Sequence, residues 1–94
     1  MKIKTANSFK EKFFGLMGKT HINYGLFFPN VNAIHTFFMK EPIDVIGLSS
    51  INIIAEIHPN VLPNKIIILK RSVHTLELPK GTSKKYKIGD KVRF

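Results

Sequence analysis

Hydrophobic positions recur at two different spacings along this 94-residue chain, and the change of spacing divides it into two parts. Phe9, Phe13, Leu16 and Met17 fall at i, i+4, i+7 and i+8, one face of a helix. Ser8 and Glu11 have capping-box spacing, and Gly18 stands where a C-terminal glycine stops a helix, so the pattern predicts a short amphipathic helix over residues 9–17. Gly15 inside it costs about 1 kcal/mol relative to alanine, which points to close approach of another backbone. After Gly18 the period shortens to that of strands, predicted at residues 25–28, 34–40, 44–48, 51–57, 65–70, 73–78 and 91–94. Turn residues separate nearly all of them, among them Pro29-Asn30, Glu41-Pro42, Pro59-Asn60, Pro63-Asn64, Pro79-Lys80-Gly81 and Gly89-Asp90. Such punctuation is the mark of antiparallel meanders. The expected fold is a mainly β (α+β) single domain over residues 1–94, a small curved antiparallel sheet or barrel with one short N-terminal helix plugging an end.

One segment departs from plain core patterning. Within Ile34 to Val45, His35, Lys40, Glu41 and Asp44 sit inside an otherwise apolar run. Burying a charge without a partner is costly, so these groups either reach solvent at a rim or satisfy one another. If residues 34–40 form one strand, alternation sets His35, Phe37 and Met39 on one face and Ile34, Thr36, Phe38 and Lys40 on the other.

Composition narrows the function classes. Forty-four per cent hydrophobic residues with eight Phe and no Trp suffice for one compact core. The absence of cysteine excludes disulfides and thiolate metal sites. His21, His35, His58 and His74 have neither helical pairing nor metalloprotease spacing, so no metal and no cofactor is expected. There is no nucleophile elbow and no phosphate-binding glycine loop. Apolar runs such as Ile66 to Leu69 are far too short to span a bilayer, and the N-terminal residues lack a secretory apolar run, so a soluble, cytoplasmic chain is expected. Fifteen Lys+Arg against six Asp+Glu give a net charge of +9, concentrated towards the two ends. A field of that sign favours nucleic acid, phosphorylated metabolites or an acidic membrane surface, and solvated lysines also simply confer solubility.

The string Glu11-Lys12-Phe13-Phe14-Gly15-Leu16-Met17-Gly18-Lys19 resembles a motif of the form E-[RK]-x-x-G-L-M-x-[RK]. Gly25-Leu26-Phe27-Phe28 follows it. Phe38-Met39-Lys40 with Pro42-Ile43-Asp44 resembles a central [FW]-M-[KR]…[PI]-[LI]-D block, and Thr75 to Gly81 and Ile88 to Val92 resemble closing L-E-[LV]-P-x-G and G-D-x-[VL] elements. In this order the blocks resemble domain of unknown function 192, a group of small prokaryotic proteins. The resemblance implies a compact, mainly β domain, and no substrate or reaction. It also marks departures: Phe38 stands where many relatives carry Trp, Val31 where some carry Cys, and Ser49-Ser50 in place of an acidic turn.

The candidate ligand-binding residues are His35, Lys40, Asp44, Glu77 and Phe38. His35 has the side chain for general acid–base work, although a histidine among phenylalanines more often plays a structural part. Lys40 either binds an anion or pairs with Asp44, and the resemblance places both in the central motif. Glu77 lies between Leu76 and Leu78, so alternation turns it away from both and makes exposure its default, unless barrel closure brings it to His35 or Lys40. Three functions fit these residues. The first is a binding or accessory module with a pocket at the central motif for an anionic small molecule or peptide. The second is a nucleic-acid-associated protein using its terminal lysines, Lys84, Lys85 and Lys87 among them. The third is a small enzyme with His35 and Glu77 as acid and base. Oligomeric state is not legible in the sequence.

Overall fold

The computed structural model describes residues 1–6 and 22–93. Among the described residues seven strands run in the order β1 (Lys2–Thr5), β2 (Tyr24–Phe28), β3 (Ala33–His35), β4 (Ile43–Leu48), β5 (Ile54–Val61), β6 (Ile66–Ile68) and β7 (His74–Pro79), followed by a 3-10 turn at Thr82–Lys85. Five of them form one sheet in the order β1-β2-β7-β4-β5, and β3 and β6 form a second, two-stranded sheet. The predicted helix over residues 9–17 lies outside the described residues.

β4 lies inside the large sheet between β7 and edge strand β5, and every one of its six residues is buried. Its run Ile-Asp-Val-Ile-Gly-Leu lacks apolar–polar alternation because both faces of the sheet are covered. Ile43 and Val45 join Leu26, Phe28, Met39, Val61 and Leu69 in one core, onto which Ile34 and Ile67 of the two-stranded sheet pack. Ile46 and Leu48 join Ile54, Leu76, Leu78 and Val92 in a second core on the opposite face, closed by Tyr86. The large sheet is therefore the middle layer of three.

Several expectations need correction. β1, absent from the predicted strands, pairs parallel with β2, so the sheet is mixed. Among the described residues the large sheet is open, with β1 and β5 as its edges, and no barrel closes. Edge strand β5 carries Pro59, whose missing N–H is tolerated where no neighbouring strand needs it. The strand predicted at 34–40 stops at His35, because residues 36–39 turn away. At the C-terminus, the predicted strand reduces to one bridge between Lys91 and Ile53, and Phe94 lies outside the described residues.

Candidate functional site

Asp44 and Glu77 are both buried, at 1% and 5% exposure, and they lie on opposite faces of the large sheet. Asp44 stands opposite Leu78 on β7, whereas Glu77 stands opposite Val45, the next residue along β4. Successive residues of a strand point to opposite faces, so the two carboxylates belong to different layers. The default exposure of Glu77 is thus overturned: its face is covered by the second sheet, and its cross-strand neighbours are Leu26 and Val45.

The surroundings of Asp44 explain its burial. β5 is bulged opposite it: Val45 pairs with His58 and Ile43 with Val61, so Pro59 and Asn60 together face Asp44. Asn60 N donates to Oδ1 at 2.9 Å, and Ser83 N donates to Oδ2 at 2.9 Å. Burial alone would raise the carboxyl's pKa, but hydrogen bonds from Asn60, Ser83 and Gly81 outweigh it and hold the group below its ordinary value. Asp44 is a buried clamp between the bulge and the 3-10 turn, and Lys40 makes no ion pair with it.

A second polar cluster joins residues that sequence reading left unconnected. Glu56 Oε1 lies 2.9 Å from His58 Nε2, and its Oε2 accepts from Arg71 N and Ser72 Oγ, each at 2.8 Å. Desolvation opposes ionisation here too, yet His58, Ser72 and the Arg71 N–H prevail and lower the pKa of Glu56. Gly47 leaves room for this cluster: a Cβ there would stand 1.9 Å from Ser72 Oγ and 2.7 Å from Glu56 Cγ. The arrangement ties β5 to the turn before β7.

The central segment is built differently. Thr36, fully buried, donates from Oγ1 to Leu62 O at 2.7 Å and accepts at Oγ1 from Lys65 N at 2.8 Å. Its own N–H donates to Lys65 O, and its carbonyl accepts from Asn64 N and Met39 N. One threonine thus pins the 36–39 turn against the 62–65 turn. Met39 points into the core, while Phe37 and Phe38 face outward and Lys40 and Lys65 are exposed. The His35 ring stacks on Phe37 with centroids 5.1 Å apart, and His35 Nδ1 accepts from Phe37 N at 3.2 Å.

Phe38 is the most unusual residue of this turn. It is 74% exposed with φ of 64°. The other described non-glycine residues with positive φ are Asn30, Asn52, Asn60 and Asn64. Asparagine enters the left-handed region readily because its short side chain bonds locally, whereas a bulky residue there is strained. Of the sequence candidates, the structure brings His35, Phe38 and Lys40 to this turn and its approach, and puts Asp44 and Glu77 into separate layers. Thr36, Leu62 and Lys65 are the residues the sequence reading missed; Pro63-Asn64 marks a turn after β5, but nothing local in the sequence shows that this turn meets the central block.

The fold and site define a small, three-layered, mainly β domain that presents a pinned apolar turn. The chain belongs to the family DUF192, described as "Uncharacterized ACR", whose family model matches residues 1–94. No curated protein matches the chain. Among solved structures it is similar to a protein from Sinorhizobium meliloti 1021 described as a "putative transcription regulator", at 25% identity and a TM-score of 0.83, covering 95% of this chain and 78% of that one. It is also similar to a protein of unknown function from Novosphingobium aromaticivorans DSM 12444, at 22% identity and a TM-score of 0.83, covering 98% of this chain and 74% of that one. The second likeness concerns the fold alone.

Proposed function

We propose that this protein is a binding module that engages an anionic ligand bearing apolar groups through the pinned turn of its central segment. The observation that carries the reading is Phe38, exposed on left-handed backbone that Thr36 and its partners hold in place. Strain retained in an outward-facing aromatic residue contributes nothing to the core, and strain of this kind clusters at functional sites. Lys40 and Lys65 beside it supply charge for an anion. Contact is made at a surface, since the aromatic rings point outward.

Panning the full chain against displayed random peptides tests the reading. The enriched sequences should combine acidic with aromatic or aliphatic residues and lose binding to Phe38→Gly and Lys40→Glu. Phe38→Gly should unfold at the same temperature as the parent or higher, because glycine relieves the positive φ. Enriched peptides that bind both variants as well as the parent would overturn the proposal.

A second reading, association with nucleic acid, draws on the exposed Lys84, Lys85 and Lys87 after β7 and on the likeness to the Sinorhizobium protein. Oligonucleotide affinity that falls steeply with salt and depends on these lysines supports it, and no binding at low salt eliminates it.

A further inference from the structure

The apolar surface does not end at the turn. In the two-stranded sheet Ala33 pairs with Ile68 and His35 with Ile66, whereas Ile34 pairs with Ile67. Ile34 and Ile67 face the core, so Ala33, His35, Ile66 and Ile68 present the outer face. Ile66 is 66% exposed and Ile68 60%, and they continue into Leu62, Phe37 and Phe38 at the two turns. Exposed Lys40, Lys65, Lys70 and Arg71 flank this face in the chain. A contiguous apolar surface rimmed by polar groups marks a site of interaction.

Charge selects among occupants. Each copy carries +9, and among the described acids Asp44 and Glu77 are buried and Glu56 is engaged by His58, Ser72 and the Arg71 N–H, which leaves half-buried Glu41 beside Lys40 and exposed Asp90 on the distant 87–90 loop. Two such faces would bring like charges together, which disfavours a second copy. Single-stranded nucleic acid supplies anions, but it binds by stacking on aromatic rings, and Leu62, Ile66 and Ile68 offer none. A fluid, negatively charged surface that admits both aliphatic and aromatic side chains matches the whole face.

We propose that the outer face of the two-stranded sheet and its adjoining turns dock on an anionic lipid bilayer. Phe38 and Leu62 enter the headgroup–acyl boundary, and Lys40, Lys65 and Lys70 lie against the phosphates. This rests on reading the pinned turn as a binding surface and commits it to an extended anionic partner.

The chain contains no tryptophan, so Phe38→Trp introduces a fluorophore free of background. Ile88→Trp is the control, because Ile88 is also largely exposed, at 67%, but its loop bonds to Ile54, at the end of β5 opposite Leu62. With vesicles of equimolar phosphatidylglycerol and phosphatidylcholine, Phe38→Trp emission should shift to shorter wavelength and resist acrylamide quenching. Ile88→Trp should not respond. Co-sedimentation of the full chain should fall about fivefold for each of Lys40→Ala and Lys65→Ala, weaken with salt, and vanish on phosphatidylcholine alone. Phe38→Ala should cost roughly tenfold. No sedimentation with anionic vesicles, or an equal response from Ile88→Trp, overturns the lipid proposal, as does a Phe38→Trp response to single-stranded oligonucleotide but not to vesicles. If acidic peptides still bind through Phe38 in those cases, the binding module stands; if they do not, both readings fall.

Discussion

Replacing Asp44 separates a structural carboxylate from a binding one, because the two roles predict opposite effects on stability. Asp44 accepts from Asn60 N on one oxygen and from Ser83 N on the other, and Ser83 is itself buried. Asp44→Ala leaves both backbone donors without an acceptor, and an unsatisfied buried donor costs about 1–3 kcal/mol. Asn60 is exposed enough for water to replace part of its bond, so the larger share falls at Ser83, and the expected total is about 3 kcal/mol. For a domain of this size that is a substantial fraction of the whole stability and lowers the melting temperature by roughly 12–24 °C. Asp44→Asn keeps the shape and one acceptor but turns an amide donor towards a backbone donor, and should lose about 2 kcal/mol. Urea unfolding followed by far-ultraviolet circular dichroism measures both. A carboxylate kept for ligand binding would instead leave the protein as stable, or more stable, without it. Asp44→Asn within about 0.5 kcal/mol of the parent would therefore refute the clamp.

The same experiment has a pH dimension with a definite sign. Hydrogen bonds hold the folded-state pKa of Asp44 below its ordinary value despite burial. A depressed carboxylate contributes stability that is complete above its unfolded pKa, about 4, and lost as pH falls through the folded value. The stability difference between parent and Asp44→Asn should therefore be largest near neutral pH and shrink on acidification below about pH 4.

Two further outcomes follow from the packing around the other clusters. Gly47→Ala drives a methyl group into Ser72 Oγ and Glu56 Cγ and should cost at least about 1–3 kcal/mol, with Ser72→Gly recovering part of that loss in the double variant; additive losses in urea unfolding would contradict the contact. Thr36→Val removes the hydroxyl that bonds to Leu62 O and Lys65 N and should cost about 1–3 kcal/mol and speed amide exchange at residues 36–39 and 62–65, whereas Thr36→Ser restores protection; unchanged exchange in Thr36→Val would rule out the pin.

How much of this was legible in the chain depends on how local each cause is. β2, β4 and β7 lie within a residue of their predicted bounds, because each is an apolar run closed by turn residues. β1 escaped because Lys-Ile-Lys-Thr has a single apolar position and pairs with a strand far away in sequence. The 36–39 turn escaped for another reason: Phe37, Phe38 and Met39 are all hydrophobic, and hydropathy cannot distinguish a buried methionine from a displayed phenylalanine. Alternation placed Glu77 correctly away from Leu76 and Leu78, but a second sheet covers that face. The Glu56–His58–Ser72 cluster spans sixteen positions and exists only once β5 and the turn before β7 are side by side.

The candidate site therefore moved from a set of ionisable groups to the backbone between them. The central segment drew notice for charges in an apolar run, and both carboxylate oxygens of Asp44 accept backbone hydrogen bonds from within the chain. At Asn30, Asn52, Asn60 and Asn64 the chain meets its need for left-handed backbone with the residue that enters that region most cheaply after glycine. At residue 38 it uses phenylalanine, which is strained there and leaves its ring in water. Neither local conformation nor core burial favours that choice, since asparagine is better for the first and the ring contributes little to the second. The proposed contact with a partner outside the chain accounts for the choice, and the five hydrogen bonds that tie Thr36 to residues 62–65 hold the turn that displays the ring, which reduces the ordering entropy lost on binding.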